Sequence, residues 1–164
     1  MSTRRIPPKP GQESVWDYPR PPRLEPVEAR IRLVHAGLVL VDTRQALRIL
    51  ETSHPPTYYL PPADIAMEHL QRVSRTSHCE WKGQAHYYDL RIGTHHVPMV
   101  AWSYATPRAA YADLANYLAF YPSKIDTCYV GDEQVQAQAG DFYGGWITSN
   151  IVGPFKGAPG TWGW

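Results

Sequence analysis

Nowhere does this chain hold the roughly 20 consecutive apolar residues that a membrane-spanning helix needs. Its longest apolar run, allowing glycine, is Ala36 to Val41. No membrane partner is therefore expected. Cysteine is scarce: Cys79 and Cys128 are the only two, and neither belongs to a Cys-x-x-Cys pair. Without a framework of paired cysteines, a reducing cytoplasm is the expected compartment. Lysine is scarce too, at Lys9, Lys82, Lys124 and Lys156. Neither sign of charge dominates, with 16 Lys and Arg against 15 Asp and Glu. Such a balance argues against binding driven by bulk charge, so no nucleic-acid partner is expected. The opening Met-Ser-Thr-Arg-Arg-Ile-Pro has no apolar core behind its arginines and does not read as a secretory signal.

What the chain does have is aromatic residues: 11 Tyr, 6 Trp and 3 Phe. Tyr and Trp carry a large apolar body and a polar tip, which suits either a small core or a ligand pocket. Proline crowds residues 1–28, which read as an extended arm docked by Trp16 and Tyr18. Its basic residues, Arg4, Arg5, Lys9, Arg20 and Arg23, are largely offset by Glu13, Asp17 and Glu25. A core domain is expected over 29–139. The Gly/aromatic segment 140–164 is expected to pack Phe142, Tyr143, Trp146, Phe155, Trp162 and Trp164 back onto that domain or onto a second copy, as a homodimer.

The fold class predicted is mainly β with short helices (α+β). Arg30 to Val34 alternates polar and apolar as a half-buried strand does, His35-Ala36-Gly37 turns, and Leu38 to Val41 returns. Asp42 or Thr43 would cap a short helix running through Leu50, and a helical turn is expected from Ala63 to about Leu70. Trp81 to Ile92 and His96 to Tyr104 read as a hairpin turning at Gly93-Thr94. One longer helix is predicted near 107–121, with Thr106 as its cap, Pro107 at its first position, and Ala110, Leu114, Tyr117, Leu118 and Tyr121 at helical spacing. Ile125 to Val130 and Gln134 to Gln138 read as a further hairpin turning at Gly131-Asp132.

The densest cluster of chemically capable residues is Ser77-His78-Cys79-Glu80-Trp81-Lys82-Gly83, followed by Tyr87-Tyr88-Asp89. A cysteine attacks only as thiolate, a form that neighbouring His or Lys cations favour. Alternation along a strand would place Cys79, Trp81, Tyr87 and Asp89 on one face, with Glu80 and Lys82 on the other. Cys128 sits in a strand-like run and reads as a buried small hydrophobe. No metal is expected. His95 and His96 would face opposite ways, and His78 and His86 lack the close spacing of zinc ligands. No cofactor is expected either: Gly153-Pro154-Phe155-Lys156-Gly157 lacks the spacing of a phosphate-binding loop, and Pro154 removes a backbone donor.

The run Glu51 to Pro62, with its His54-Pro55-Pro56-Thr57-Tyr58-Tyr59 centre and Asp64-Ile65 behind it, resembles a signature of the domain-of-unknown-function 427 (DUF427) family. Thr76 to Gly83 with Ala85 and Tyr87-Tyr88 resembles a second, centred on Cys-x-Trp-Lys-Gly. Ala101-Trp102-Ser103-Tyr104 with Pro107 resembles a third, and Phe120-Tyr121 a fourth. Gly140 to Trp146 and the tail are similar to a longer subgroup. The resemblance covers about residues 30–164. It implies a β-tent-like architecture of antiparallel sheets meeting at an angle. By analogy with aromatic pockets in such folds, it makes Trp81, Trp102, Tyr58, Tyr59, Tyr87 and Tyr88 pocket candidates. The zinc knuckles of many β-tent proteins have no counterpart here. The family also carries a nucleotidyltransferase label, which would need grouped carboxylates to hold magnesium. Asp89, Asp126 and Asp141 stand apart in the sequence.

Together these readings predict a protein that binds a small organic ligand in an aromatic pocket. Tyr58, Tyr59, His78, Trp81, Tyr87, Tyr88 and Trp102 would bind it, with Cys79, Glu80 and Lys82 at the mouth as candidate catalytic groups. The alternatives are a Cys79-dependent enzyme, a nucleotidyltransferase, and a protein-interaction module built on the arm and tail.

Overall fold

The computed structural model describes residues 5–140, 143–161 and 163–164. Among the described residues, fifteen strands run in chain order. The first six are β1 (Glu13–Ser14), β2 (Arg23–Pro26), β3 (Ile31–His35), β4 (Leu38–Thr43), β5 (Leu47–Leu50) and β6 (Thr57–Tyr59). Next come β7 (Leu70–Cys79), β8 (Gly83–Ile92), β9 (His95–Ser103), β10 (Leu118–Phe120) and β11 (Thr127–Val130). The short strands β12 (Glu133–Gln134), β13 (Gln136–Ala137), β14 (Trp146–Ile147) and β15 (Ile151–Val152) complete the set. The protein is mainly β, and the larger sheets are antiparallel.

The β3–β4 hairpin forms as the alternation predicts. Ile31, Leu33 and His35 point inward, and the two-residue turn takes positive φ at both Ala36 and Gly37. That is the hairpin turn whose twist matches the strands, and glycine meets it without strain. This hairpin belongs to a sheet ordered β12-β11-β3-β4, and a second sheet is ordered β10-β9-β8-β7. One apolar core joins the two, with Ile31, Leu33, Leu40 and Val41 from the first and Leu90, Val100, Ala101 and Phe120 from the second. A three-stranded sheet, β2-β5-β6, meets the end of β10 where Leu60 and Leu118 exchange backbone hydrogen bonds of 2.8 and 2.9 Å.

Several expected helices are absent. The helix predicted over 107–121 is a 3-10 segment, Ala109–Leu114, interrupted at Tyr111, and its N-cap is Arg108 rather than Thr106. Asn116 then takes a left-handed φ of 65°, and the chain enters β10. Leu118, Ala119 and Phe120 are buried on both faces of the sheet. A helix would bury only one stripe of that run, so pairing with β9 wins over helical spacing. The helix expected through Leu50 is β5, which pairs with β2 and β6. The turn predicted from Ala63 to Leu70 is two 3-10 turns, Pro62–Asp64 and Met67–His69. Strand β7, which follows, had no expectation at all. β11 turns into β12 at Gly131, but Gln136–Ala137 leaves to pair with β14.

The proline-rich arm runs along the tail: β1 pairs in parallel with β15, and Val15 and Tyr18 are buried. Trp146 is fully buried and Trp164 meets Trp16 edge-on at 5.3 Å. Phe142 and Trp162 lie outside the described residues. Among the described residues, the exposed large hydrophobics are Ile6 and Val39, so Tyr143, Trp146, Phe155 and Trp164 are at least half-buried within the chain. No helix among the described residues is long and apolar enough to cross a membrane.

Candidate functional site

Strand alternation gives β6, β8 and β10 two buried faces. Tyr58, Tyr88, Leu118 and Phe120 turn to the main core, while Tyr59, Tyr87 and Ala119 turn to a second, aromatic cluster built on Trp102, Tyr104 and Tyr111. Against this second cluster lies a cavity of about 360 Å³. That volume falls in the range of small-molecule sites.

Four parts of the chain wall it. The β5–β6 region contributes Glu51, His54, Pro55 and Tyr59. The β7–β8 hairpin contributes Ser77, His78, Cys79, Trp81, Lys82 and Tyr87. Trp102 and Tyr104 come from the end of β9, with Tyr121 just after β10. Gln138, just before the tail, and the tail's Tyr143, Gly144 and Lys156 complete it.

The aromatic wall is tightly set. Trp102 lies 4.6 Å from Tyr121, centroid to centroid, and meets Tyr59 edge-on at 6.4 Å. Tyr59 also packs against Tyr104 at 6.4 Å. Burial pushes the Tyr59, Tyr104 and Tyr121 phenols well above the ordinary tyrosine value, so each stays neutral. The Ser77 hydroxyl and Tyr87 phenol share a 2.8 Å hydrogen bond at the rim.

On the tail side, Gln138 is the fastener. Its Nε2 donates to the Lys156 carbonyl at 2.6 Å, and its Oε1 accepts from the Gly145 backbone at 3.1 Å. The same Nε2 lies 3.4 Å from His54 Nδ1. Burial first, then the cations Lys156, Arg20 and Lys82, lower the His54 pKa to about 4, so the ring is neutral at pH 7. Glu51 stands 3.7 Å from His54 Nε2, beyond hydrogen-bond reach.

Of the residues expected at the site, Tyr59, His78, Trp81, Tyr87, Trp102, Cys79 and Lys82 line this cavity. Tyr58 does not: it stacks on Trp146 at 4.8 Å in the main core. Tyr88 packs against that core too, its phenol 3.2 Å from the Ser103 hydroxyl. Glu80 is exposed in the turn and lines nothing. Cys79 and Lys82, expected on opposite faces, both reach the cavity because the strand ends at Cys79 and the chain turns before Gly83. Sequence reasoning missed His54, Tyr104, Tyr121, Gln138, Tyr143 and Lys156 as site residues. His54, Tyr104 and Tyr121 stand within or beside the family-like motifs, a usable signal, whereas the tail residues carry none.

Cys128 is buried, and burial pushes its thiol up to about 12. Both cysteines are free. Asp89 accepts from the Met99 backbone at 2.8 Å and lies 3.0 Å from His96 Nε2, while Asp126 accepts from the Ala36 backbone at 2.8 Å. Neither lines the cavity, and Asp141 lies outside the described residues. Among the described residues, no group of three His, Cys, Asp or Glu side chains is placed to hold a metal ion.

No curated protein matches the chain. The sequence model for the domain of unknown function DUF427 matches residues 23–131, more than half of the chain, and the chain belongs to that family.

Proposed function

We propose that the protein binds a small organic molecule in the aromatic cavity between the β7–β8 hairpin, the end of β9 and the tail. One observation carries this reading: aromatic side chains distant in sequence, Tyr59, Trp81, Tyr87, Trp102 and Tyr143, converge on one cavity of about 360 Å³ beside a few polar groups. Convergence of apolar walls with sparse polar groups is the usual make-up of a ligand site. A β-tent reading of the two four-stranded sheets draws support from the core they share. In this reading the arm (1–28), core (29–139) and tail (140–164) act as one unit, since the tail helps to wall the site.

Native mass spectrometry of the purified protein, set against its denatured mass, tests the reading. Extra mass lost on denaturation supports it. A bare native mass, together with no binding of any member of an aromatic fragment library, ends it.

A second reading, a Cys79-dependent enzyme, draws support from Cys79 lining the same cavity as His78 and Lys82. Its signature is alkylation of Cys79 at neutral pH far faster than that of an ordinary thiol.

A further inference from the structure

The charges around the cavity are unequal. Lys82 and Lys156 line it, with Glu51 as the lining carboxylate. Glu51 is itself shared, its Oε2 standing 3.8 Å from an Arg20 guanidinium nitrogen. Among the described residues the ion pairs belong to arginines and histidines, and neither lysine enters one with Asp or Glu. The Lys156 ammonium donates to a main-chain oxygen of Trp164 at 3.3 Å and lies 5.7 Å from the centre of the Tyr143 ring. Two lysines beside a mostly aromatic wall, against one lining carboxylate that Arg20 shares, leave the site with positive potential in partly desolvated surroundings, where an anion gains most.

The two lysines come from opposite ends of the fold. Lys82 sits in the β7–β8 turn, whose backbone is tied down by a 3.0 Å hydrogen bond from Arg108 N to the Lys82 carbonyl. Lys156 belongs to residues 132–164, outside the family match. Its backbone is pinned twice: its N–H donates to Ser53 O at 2.9 Å, and its carbonyl accepts from Gln138. Gly157, next to it, lies so close to the Ala139 carbonyl that a Cβ there would stand 2.0 Å away. The tail thus holds the Lys156 backbone in place at the cavity wall.

We infer that the cavity selects a planar aromatic ligand carrying a carboxylate, with Lys82 and the tail's Lys156 as the residues that determine this preference. This inference rests on the ligand-binding reading and goes beyond it by naming the ligand's charge. The aromatic walls take the ring and the lysines take the anion. A cationic analogue of the same ring meets repulsion, and a neutral one leaves the lysines uncompensated.

The test is calorimetric titration of the full chain at pH 7.5 with three probes that share a ring: indole-3-acetate, indole-3-acetamide and tryptamine. The expected result is that the acetate binds at least tenfold tighter than the amide, and that tryptamine does not bind. Lys82→Gln and Lys156→Gln should each weaken acetate binding and bring it to the level of the amide. Lys156→Arg should retain the preference, and a melting temperature for each variant reports that it folds. Equal affinity for acetate and amide in the unmodified protein overturns the charge inference and leaves the pocket reading intact. Binding of none of the three at millimolar concentration overturns the charge inference, and the pocket reading then stands or falls on its own native mass and fragment-library test. A preference that survives both glutamine variants overturns the assignment to these lysines.

Discussion

Gly144 lies against the indole of Trp102 so closely that a Cβ at position 144 would stand 2.3 Å from Cη2 of the ring. Trp102 has little room to yield, because Tyr121 and Tyr59 bracket it on its other sides. The contact joins the tail to the wall of the cavity.

Gly144→Ala should therefore destabilise the protein by about 1–3 kcal/mol, the usual cost of overpacking. Adding Trp102→Phe to the same chain should recover part of the loss by opening space. Urea unfolding of the three variants checks this. An additive double variant would show that Gly144 and Trp102 do not press on each other.

Trp81 and Trp102 both line the cavity but differ in burial. Trp102 is 9 % exposed and sits in the aromatic cluster, whereas Trp81 is half-buried at its edge. Trp102→Ala should cost about 3–5 kcal/mol, as large core truncations do. Trp81→Ala should cost far less while removing binding of an aromatic probe. If Trp81→Ala unfolds the protein, its ring is core rather than ligand wall.

The β3–β4 hairpin and the β8–β9 hairpin are legible in the sequence because one face of each is apolar and glycine marks each turn. Strand β7 is not, because most of its residues are exposed at the sheet edge and it carries no apolar alternation. The pairs Tyr58-Tyr59 and Tyr87-Tyr88 show what a single sequence withholds. Each pair splits between two buried faces, so both members look alike until the sheet exists. Lys156 reaches the site through a glycine-rich tail whose path no periodicity encodes, and Gln138 does so because β13, just before it, pairs with β14 instead of returning along β11.

Arg48, in the central strand β5, binds Glu25 at 2.7 Å and Glu13 at 3.0 Å, linking β1, β2 and β5. Burial works to strip its charge, but hydrogen bonds to Glu13 and Glu25 outweigh that and hold it protonated. Arg48→Met should cost about 2 kcal/mol, below the full value for a buried pair because both glutamates stay about a third exposed. Glu13→Gln with Glu25→Gln in the Arg48→Met background should restore part of that. A triple variant no more stable than Arg48→Met would show that the stranded carboxylates are not the source of the loss.

The two cysteines should separate on labelling. Cys79 is half-buried at the cavity and Cys128 is 3 % exposed in β11. Intact protein treated with a maleimide should gain one label, mapped to Cys79 by peptide mass. The second should appear only in denaturant. Two labels on native protein would mean that β11 opens readily. A labelling rate at Cys79 no faster than that of a free thiol would remove the support for a cysteine nucleophile.

His54 gives a pH dependence of fixed sign. In the unfolded chain its imidazole titrates near 6.5, and in the native state its pKa is about 4. Between those values the unfolded chain binds a proton that the native protein does not. Protonation therefore draws the equilibrium toward unfolding as the pH falls. The loss should reach about 3 kcal/mol by pH 4, at 1.36 kcal/mol per pH decade. His54→Gln removes the titrating group while keeping a side chain able to accept from Gln138. Comparing urea stabilities of the two proteins at pH 7 and pH 4 isolates this contribution, because every other acidic and basic group is common to both. The variant should lose less stability than the unmodified protein over that interval, by about 3 kcal/mol. If both lose the same amount, His54 is not held neutral by its burial.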